Sequence, residues 1–143
     1  MREPPRRRPA HAGLSRRYAS GVAGPDAYED YRSGCELLES GDHHAAILPL
    51  ARARDFDPGK ASVREALGRA YFGAQRYRDA AGEFQAVVEI SPVNDYALFC
   101  LGRSLQKLGQ HSEACQPLAI AACLRPERGD YVAYRDASRR LAA

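Results

Sequence analysis

The sequence predicts an all-α protein built from helical hairpins that repeat at a constant interval. Three observations carry that prediction. Prolines recur at Pro58, Pro92 and Pro126, and glycines at Gly34, Gly68 and Gly102, with one and the same spacing in both series. Alanines keep that interval at Ala46, Ala80 and Ala114. Large apolar residues follow at fixed offsets: Leu50, Phe84 and Leu118 four after each alanine, Leu37, Tyr71 and Leu105 three after each glycine. Offsets of three and four put side chains on one face of a helix.

Each column has a physical reason. Two helices pack closely only when their axes approach to about 8–10 Å. A glycine on the first helix, expected to face an alanine on the second (Gly34 against Ala46, and the equivalent pairs), permits that approach. The large residues fill the space beside it, with Ala53, Val87 and Ala121 completing the face. Proline ends the second helix, because the residue before it disfavours helical backbone angles. A turn joins the two helices, marked by Gly41 and Gly109 and, in the middle copy, by Gln75.

Taken in order, the spacing predicts helices near 27–40 and 44–56 for a first repeat over 27–60. It predicts 61–74 and 78–90 for a second over 61–94, and 95–108 and 112–124 for a third over 95–128. Pro49 and Pro117 fall at one offset inside second helices. Each removes a hydrogen bond to the carbonyl of Ala45 or Glu113 and is expected as a tolerated kink on the outer wall. A last helix over 129–141 caps the array. It is expected to offer Tyr131, Val132, Tyr134, Ala137 and Leu141 to the third repeat and Arg135, Asp136, Arg139 and Arg140 to water, the polar end that a stack of repeats needs for solubility. Residues 1–24, rich in Pro, Arg, Gly and Ser without periodicity, read as a disordered basic tail ahead of a domain over 25–143.

The second copy, with Leu67-Gly68, Tyr71, Ala80, Phe84 and Pro92, resembles the tetratricopeptide repeat. The resemblance covers residues 27 to about 128. It departs from the pattern where an aromatic is usual, at Arg64, Asp30 and Leu98, and where Ser33 replaces a leucine. It implies a right-handed superhelical solenoid of three repeats with a C-terminal capping helix. It also implies a concave face, lined by the first helices, that binds an extended peptide or a partner's helix. Helical spacing then assigns the stripe on that face: Tyr28, Tyr31, Cys35 and Leu38; Glu65, Arg69 and Phe72; Tyr96, Phe99, Arg103, Gln106 and Lys107; and Tyr134 at the end.

Composition narrows the function. At 45% hydrophobic and 27% charged residues, the chain is not wholly disordered. Its longest apolar run, 45–51, contains Pro49 and is too short to span a membrane. The net charge of +3 divides unevenly: residues 1–24 carry +5 and residues 25–143 carry −2. The repeats as a whole are therefore not built to neutralise phosphates. Cys35, Cys100, Cys115 and Cys123 contain no pair at redox or zinc spacing, and no secretory apolar segment is present. Four reduced, mostly buried thiols in the cytoplasm are expected. The Arg- and Ala-rich usage is associated with a GC-rich, bacterial source.

No catalytic residue, metal site or cofactor is expected. His43 and His111 hold equivalent turn positions where Tyr77 stands in the middle copy, and there is no His pair at metal spacing, no phosphate loop with Lys and no nucleophile elbow. The expected function is a non-catalytic protein–protein interaction module or adaptor. Arg69 and Arg103, one repeat apart at the same offset, should be neighbours and suit a ligand with Asp or Glu flanked by apolar residues. The competing reading pairs Arg69 with Glu65 four residues away. Chaperone-binding relatives grip a C-terminal carboxylate with Lys, Asn and Arg. The corresponding Tyr31, Cys35, Ala66, Tyr96 and Cys100 do not match, so no such clamp is expected. The alternative function is recruitment to nucleic acid or anionic membrane by Arg6, Arg7, Arg8, Arg16 and Arg17 of the tail.

Overall fold

The structure, a computed structural model, describes residues 25–142. The tail over 1–24, with its five candidate arginines, lies outside the described residues. Seven helices and no strand are found among the described residues: α1 Pro25–Glu39, α2 His43–Phe56, α3 Ala61–Gly73, α4 Tyr77–Ile90, α5 Asp95–Lys107, α6 His111–Leu124 and α7 Gly129–Ala142. The expected helix limits differ from these by at most two residues.

Local chemistry sets the ends. After α1, α3 and α5 the chain turns through a residue in the left-handed region, Gly41 (φ 83°), Gln75 (φ 63°) and Gly109 (φ 77°). Each turn is closed by an N–H reaching back five residues: Asp42 to Leu37 and Arg76 to Tyr71 at 2.8 Å, Gln110 to Leu105 at 2.9 Å. This pattern satisfies the last carbonyls of a helix and favours glycine at the left-handed position. At the N-termini, the Asp42 carboxylate accepts from the Ala45 N–H and the Asn94 side chain from the Ala97 N–H. Pro58, Pro92 and Pro126 each stand two residues beyond a second helix.

Every helix packs on its sequence neighbours, and α1 also touches α3 as α5 touches α7. The core runs through Leu38, Leu50, Leu67, Tyr71, Phe84 and Leu101, then continues through Leu98, Ala121, Ala122 and Tyr131. The hairpin contact departs from expectation. The nearest atoms to a methyl group added at Gly34, Gly68 or Gly102 belong to Leu50, Phe84 and Leu118, not to the alanines four residues earlier. Glycine here leaves room for the large residue of the second helix. Burying a side chain of that size contributes about 1.5–3 kcal/mol.

Three other expectations are corrected. Pro49 and Pro117 are buried, so these rings face the packing interface and not an outer wall. Leu141 is 64% exposed, whereas Ser138, two helical turns after Tyr131, is fully buried. The reason is polar: the Ser138 hydroxyl accepts from Gln106 Nε2 across the α5–α7 contact. Cys35, Cys100 and Cys115 are half-buried and Cys123 is exposed, all unpaired, so the thiols are less buried than expected. The positions lacking the usual aromatic are filled in three ways. Asp30 receives Arg52 at 3.0 Å, Leu98 joins the core, and Arg64 reaches across to Glu83 at 3.0 Å. Glu83 is buried and also binds Arg54, so one carboxylate ties α2, α3 and α4 together.

The exposed face of α1 differs from its equivalents. Val63, Ala97 and Tyr131 are buried on α3, α5 and α7, but the matching Glu29 is exposed, as are Ser33 and Glu36 beside it.

Candidate functional site

The main groove lies along α3 and α5. A cavity of about 360 Å³ opens between them. Leu38, Phe72, Phe84 and Phe99 supply apolar wall, Tyr96, Cys100, His43 and Gly73 complete it, and Arg69 and Arg103 add two guanidinium groups. A second cavity of about 220 Å³ lies between α5 and α7, walled by Arg103, Gln106, Lys107, His111, Tyr134, Ala137 and Leu141. No Asp or Glu lines either cavity.

The sequence-assigned stripe divides accordingly. Leu38, Arg69, Phe72, Tyr96, Phe99 and Arg103 meet at the first cavity. Arg103, Gln106, Lys107 and Tyr134 meet at the second. Tyr28 and Tyr31 stand apart, in a crevice of about 40 Å³ against Ala53, Phe56 and Val63. Cys35 packs against the core beside Tyr31, whose hydroxyl titrates above its ordinary range through burial and then its hydrogen bond with Cys35. Glu65 accepts from Asn94 at 3.4 Å, and not from Arg69.

The two central arginines are held differently. Arg103 stacks over the Tyr134 ring at 3.9 Å and donates to Gln106 Oε1 at 2.8 Å. Gln106 in turn donates to the Tyr134 carbonyl at 2.8 Å. Phe99 stacks on Tyr131 at 4.5 Å and leans on Tyr134 at 5.6 Å, so the wall around Arg103 is rigid. Arg69 is exposed and makes no hydrogen bond or ion pair among the described residues. Burial pushes the Cys100 thiol up to about 12; the hydrogen bond with Tyr96 opposes this and the nearby Glu65 charge adds to it. At physiological pH it is therefore a neutral thiol in the cavity wall. Tyr96 titrates above its ordinary range for the same reason, burial first and Cys100 second.

Sequence reasoning missed His43, Gly73, Phe84, Cys100, His111, Ala137 and Leu141 as cavity residues. The histidines carried a usable signal in their shared offset two repeats apart; in the fold the buried Nδ1 of each lacks a partner among the described residues. In the fold Gly73 leaves room for the His43 ring, which any added methyl group would run into. Among the described residues no group of three or more His, Cys, Asp or Glu is placed to hold a metal ion. No helix among them is long and apolar enough to cross a membrane.

Helical hairpins stacked at a constant interval, with a groove along their first helices, define an α-solenoid scaffold. A family model described as tetratricopeptide repeat matches residues 31–95 and 65–129, and the chain belongs to that family. Among curated protein sequences none matches. The fold is shared with solved structures. The structure titled "MamA MSR-1 C2" superposes with a TM-score of 0.75 at 27% identity, over 92% of this chain and 80% of that one. The first tetratricopeptide domain of Spaghetti (RPAP3), bound to the HSP90 peptide SRMEEVD, superposes with a TM-score of 0.77 at 19% identity, over 85% and 98%. The second such domain of human RPAP3, in complex with the HSP70 peptide SGPTIEEVD, gives 0.74 at 20% identity, over 80% and 95%.

Proposed function

We propose that this chain is a non-catalytic adaptor whose groove binds a partner segment that pairs apolar side chains with a carboxylate. The observation that carries the reading is the cavity of about 360 Å³ between α3 and α5, aromatic in its wall and with no Asp or Glu in its lining, with Arg69 unengaged at its edge. An apolar cavity with a few fixed polar groups is the usual form of a binding site. The peptide complexes of the two RPAP3 domains support the general mode of binding.

The partner is not gripped by its chain terminus in this proposal. Tyr31, Cys35, Ala66, Tyr96 and Cys100 stand where the clamp of chaperone-binding relatives would place its polar and cationic side chains, and none of them is basic. The working unit is residues 25–143, with 1–24 an appended basic segment. The unpaired cysteines suit a reducing compartment such as the cytoplasm.

The test is capture of partners by three forms: the wild type, Arg69→Glu, and a chain lacking residues 1–24. Loss of a partner with Arg69→Glu and its retention without the tail is the expected result. Retention with Arg69→Glu and loss without the tail would transfer the function to Arg6, Arg7, Arg8, Arg16 and Arg17. Such binding would also weaken steeply with added salt.

A further inference from the structure

The larger cavity has a floor and a rim of opposite character. Phe84 and Leu38, 1% and 7% exposed, are its deepest residues. Phe72 and Phe99 stand on its two sides, each braced by another ring: Phe72 meets Tyr77 edge-on at 5.2 Å and Phe99 stacks on Tyr131 at 4.5 Å. Arg69 and Tyr96 are exposed at the rim, and Arg103 is a half-buried wall group held by Tyr134 and Gln106. No Asp or Glu in the lining offsets the two guanidinium groups, and the neutral Cys100 and Tyr96 add no repelling charge. Volume is the decisive quantity. A cavity of about 150 Å³ holds one benzene ring. The cavity of about 360 Å³ here has room for two fused rings and a carboxyl group. A partner's Leu or Phe side chain leaves much of it unfilled.

We infer that this cavity is also the site of a small free organic acid, a carboxylate on a body of two fused apolar rings, whose presence excludes the partner's side chain. The exclusion rests on the groove reading above; the site itself does not. The rings enter first, onto Phe84 and Leu38 and between Phe72 and Phe99, because removing their surface from water is the main driving force. A carboxylate sent to that floor would lose its water without gaining a partner, and this fixes the ligand's direction. The carboxylate therefore stays at the rim, where Arg69 is unengaged and closes on it while Arg103 supplies a second guanidinium. Arg103 and the ring-braced wall are preorganised, so they lose little freedom on binding.

Calorimetric titration of the full chain with naphthoate, benzoate and naphthylmethanol at about 150 mM salt tests the site. Naphthoate is expected to bind at least about tenfold more tightly than either of the others, since benzoate lacks the second ring and naphthylmethanol the charge. Arg69→Gln should weaken naphthoate about fivefold or more and leave naphthylmethanol unchanged. Cys100→Met, which lengthens a wall side chain, should weaken both without changing the melting temperature. Equal binding of benzoate would overturn the two-ring body, equal binding of the alcohol would overturn the carboxylate, and indifference to both variants would overturn the location. Partner capture repeated with naphthoate present should lose the partner; if naphthoate binds and the partner is retained, the exclusion is overturned. If naphthoate does not bind while a partner is still lost with Arg69→Glu, this inference fails and the groove reading stands. If naphthoate binds as expected and capture ignores Arg69→Glu, the groove reading fails and the small-acid site stands.

Discussion

The middle repeat and the two that flank it solve one packing problem with different residues. The flanking copies share Gly41 and Gly109 at the turn, His43 and His111 at the next helix start, buried Pro49 and Pro117, and Leu50 and Leu118 against their glycines. The middle copy places Gln75, Tyr77, Glu83 and Phe84 at those positions. Leu50 and Leu118 crowd Gly34 and Gly102 alike, while Phe84 presents its ring edge to Gly68. Where the flanking copies bury a proline that donates no hydrogen bond, the middle copy buries a carboxylate that must be answered. Arg54 and Arg64 answer it from α2 and α3. At this offset the outer repeats thus rely on apolar contact, while the centre adds an ionic tie between repeats. The lesson is that a repeat column records a space to be filled, while the chemistry that fills it depends on what neighbouring helices can supply.

The sharpest way to break this comparison is Glu83→Ala. Two half-buried guanidinium groups would then face each other without a carboxylate, and removing one partner of a buried pair costs about 3–5 kcal/mol. Chemical denaturation should show that loss. The triple variant Arg54→Met, Arg64→Met, Glu83→Leu should recover most of it, because apolar replacement of a whole buried network is often neutral. A triple variant as unstable as Glu83→Ala would mean that the charges stabilise the repeat boundary in their own right.

Next in size is Gly68→Leu. A methyl group at Gly68 already falls 2.9 Å from Phe84 Cζ, so a full side chain must displace the ring. A loss near the upper end of the overpacking range, about 3 kcal/mol, is expected in thermal melts. An unchanged melting temperature would overturn the hairpin register.

Leu118→Phe asks whether a flanking repeat accepts the middle repeat's choice. The wall at Gly102 is closer than that at Gly68, so a loss of about 1–2 kcal/mol is expected by calorimetry. Full tolerance would show the two solutions to be interchangeable.

The smallest effect is a gain. Gln75 holds a left-handed φ of 63° that the flanking copies assign to glycine. Gln75→Gly should stabilise by about 0.5–1 kcal/mol, raising the melting temperature by a few degrees. A decrease would mean that the Gln75 side chain makes a contact worth more than the backbone relief.

Much of the fold was legible in the chain because its causes are local. Gly41, Gln75 and Gly109 announce turns through backbone conformation, and Pro58, Pro92 and Pro126 stop helices through the residues before them. The candidate site was legible in part. Leu38, Arg69, Phe72, Tyr96, Phe99 and Arg103 were assigned to one face by helical spacing and line one cavity. Tyr28 and Tyr31 share that periodicity but line a separate crevice, because periodicity gives the face of a helix and not the depth of the wall in front of it. Arg69 and Arg103 look equivalent one repeat apart, yet Tyr134 and Gln106 engage only Arg103.

The sequence by itself determined the repeat length, the helices, the turns and the residues that bring two helices close. Each follows from dihedral limits, helical period and side-chain size within a short stretch of chain. Only the tertiary structure decided that Gly34, Gly68 and Gly102 face Leu50, Phe84 and Leu118, that Glu83 joins Arg54 and Arg64, and that the groove divides at Arg103. Those outcomes depend on long side chains meeting across well-separated stretches of sequence. Their partners are chosen by helix packing, which no local pattern encodes.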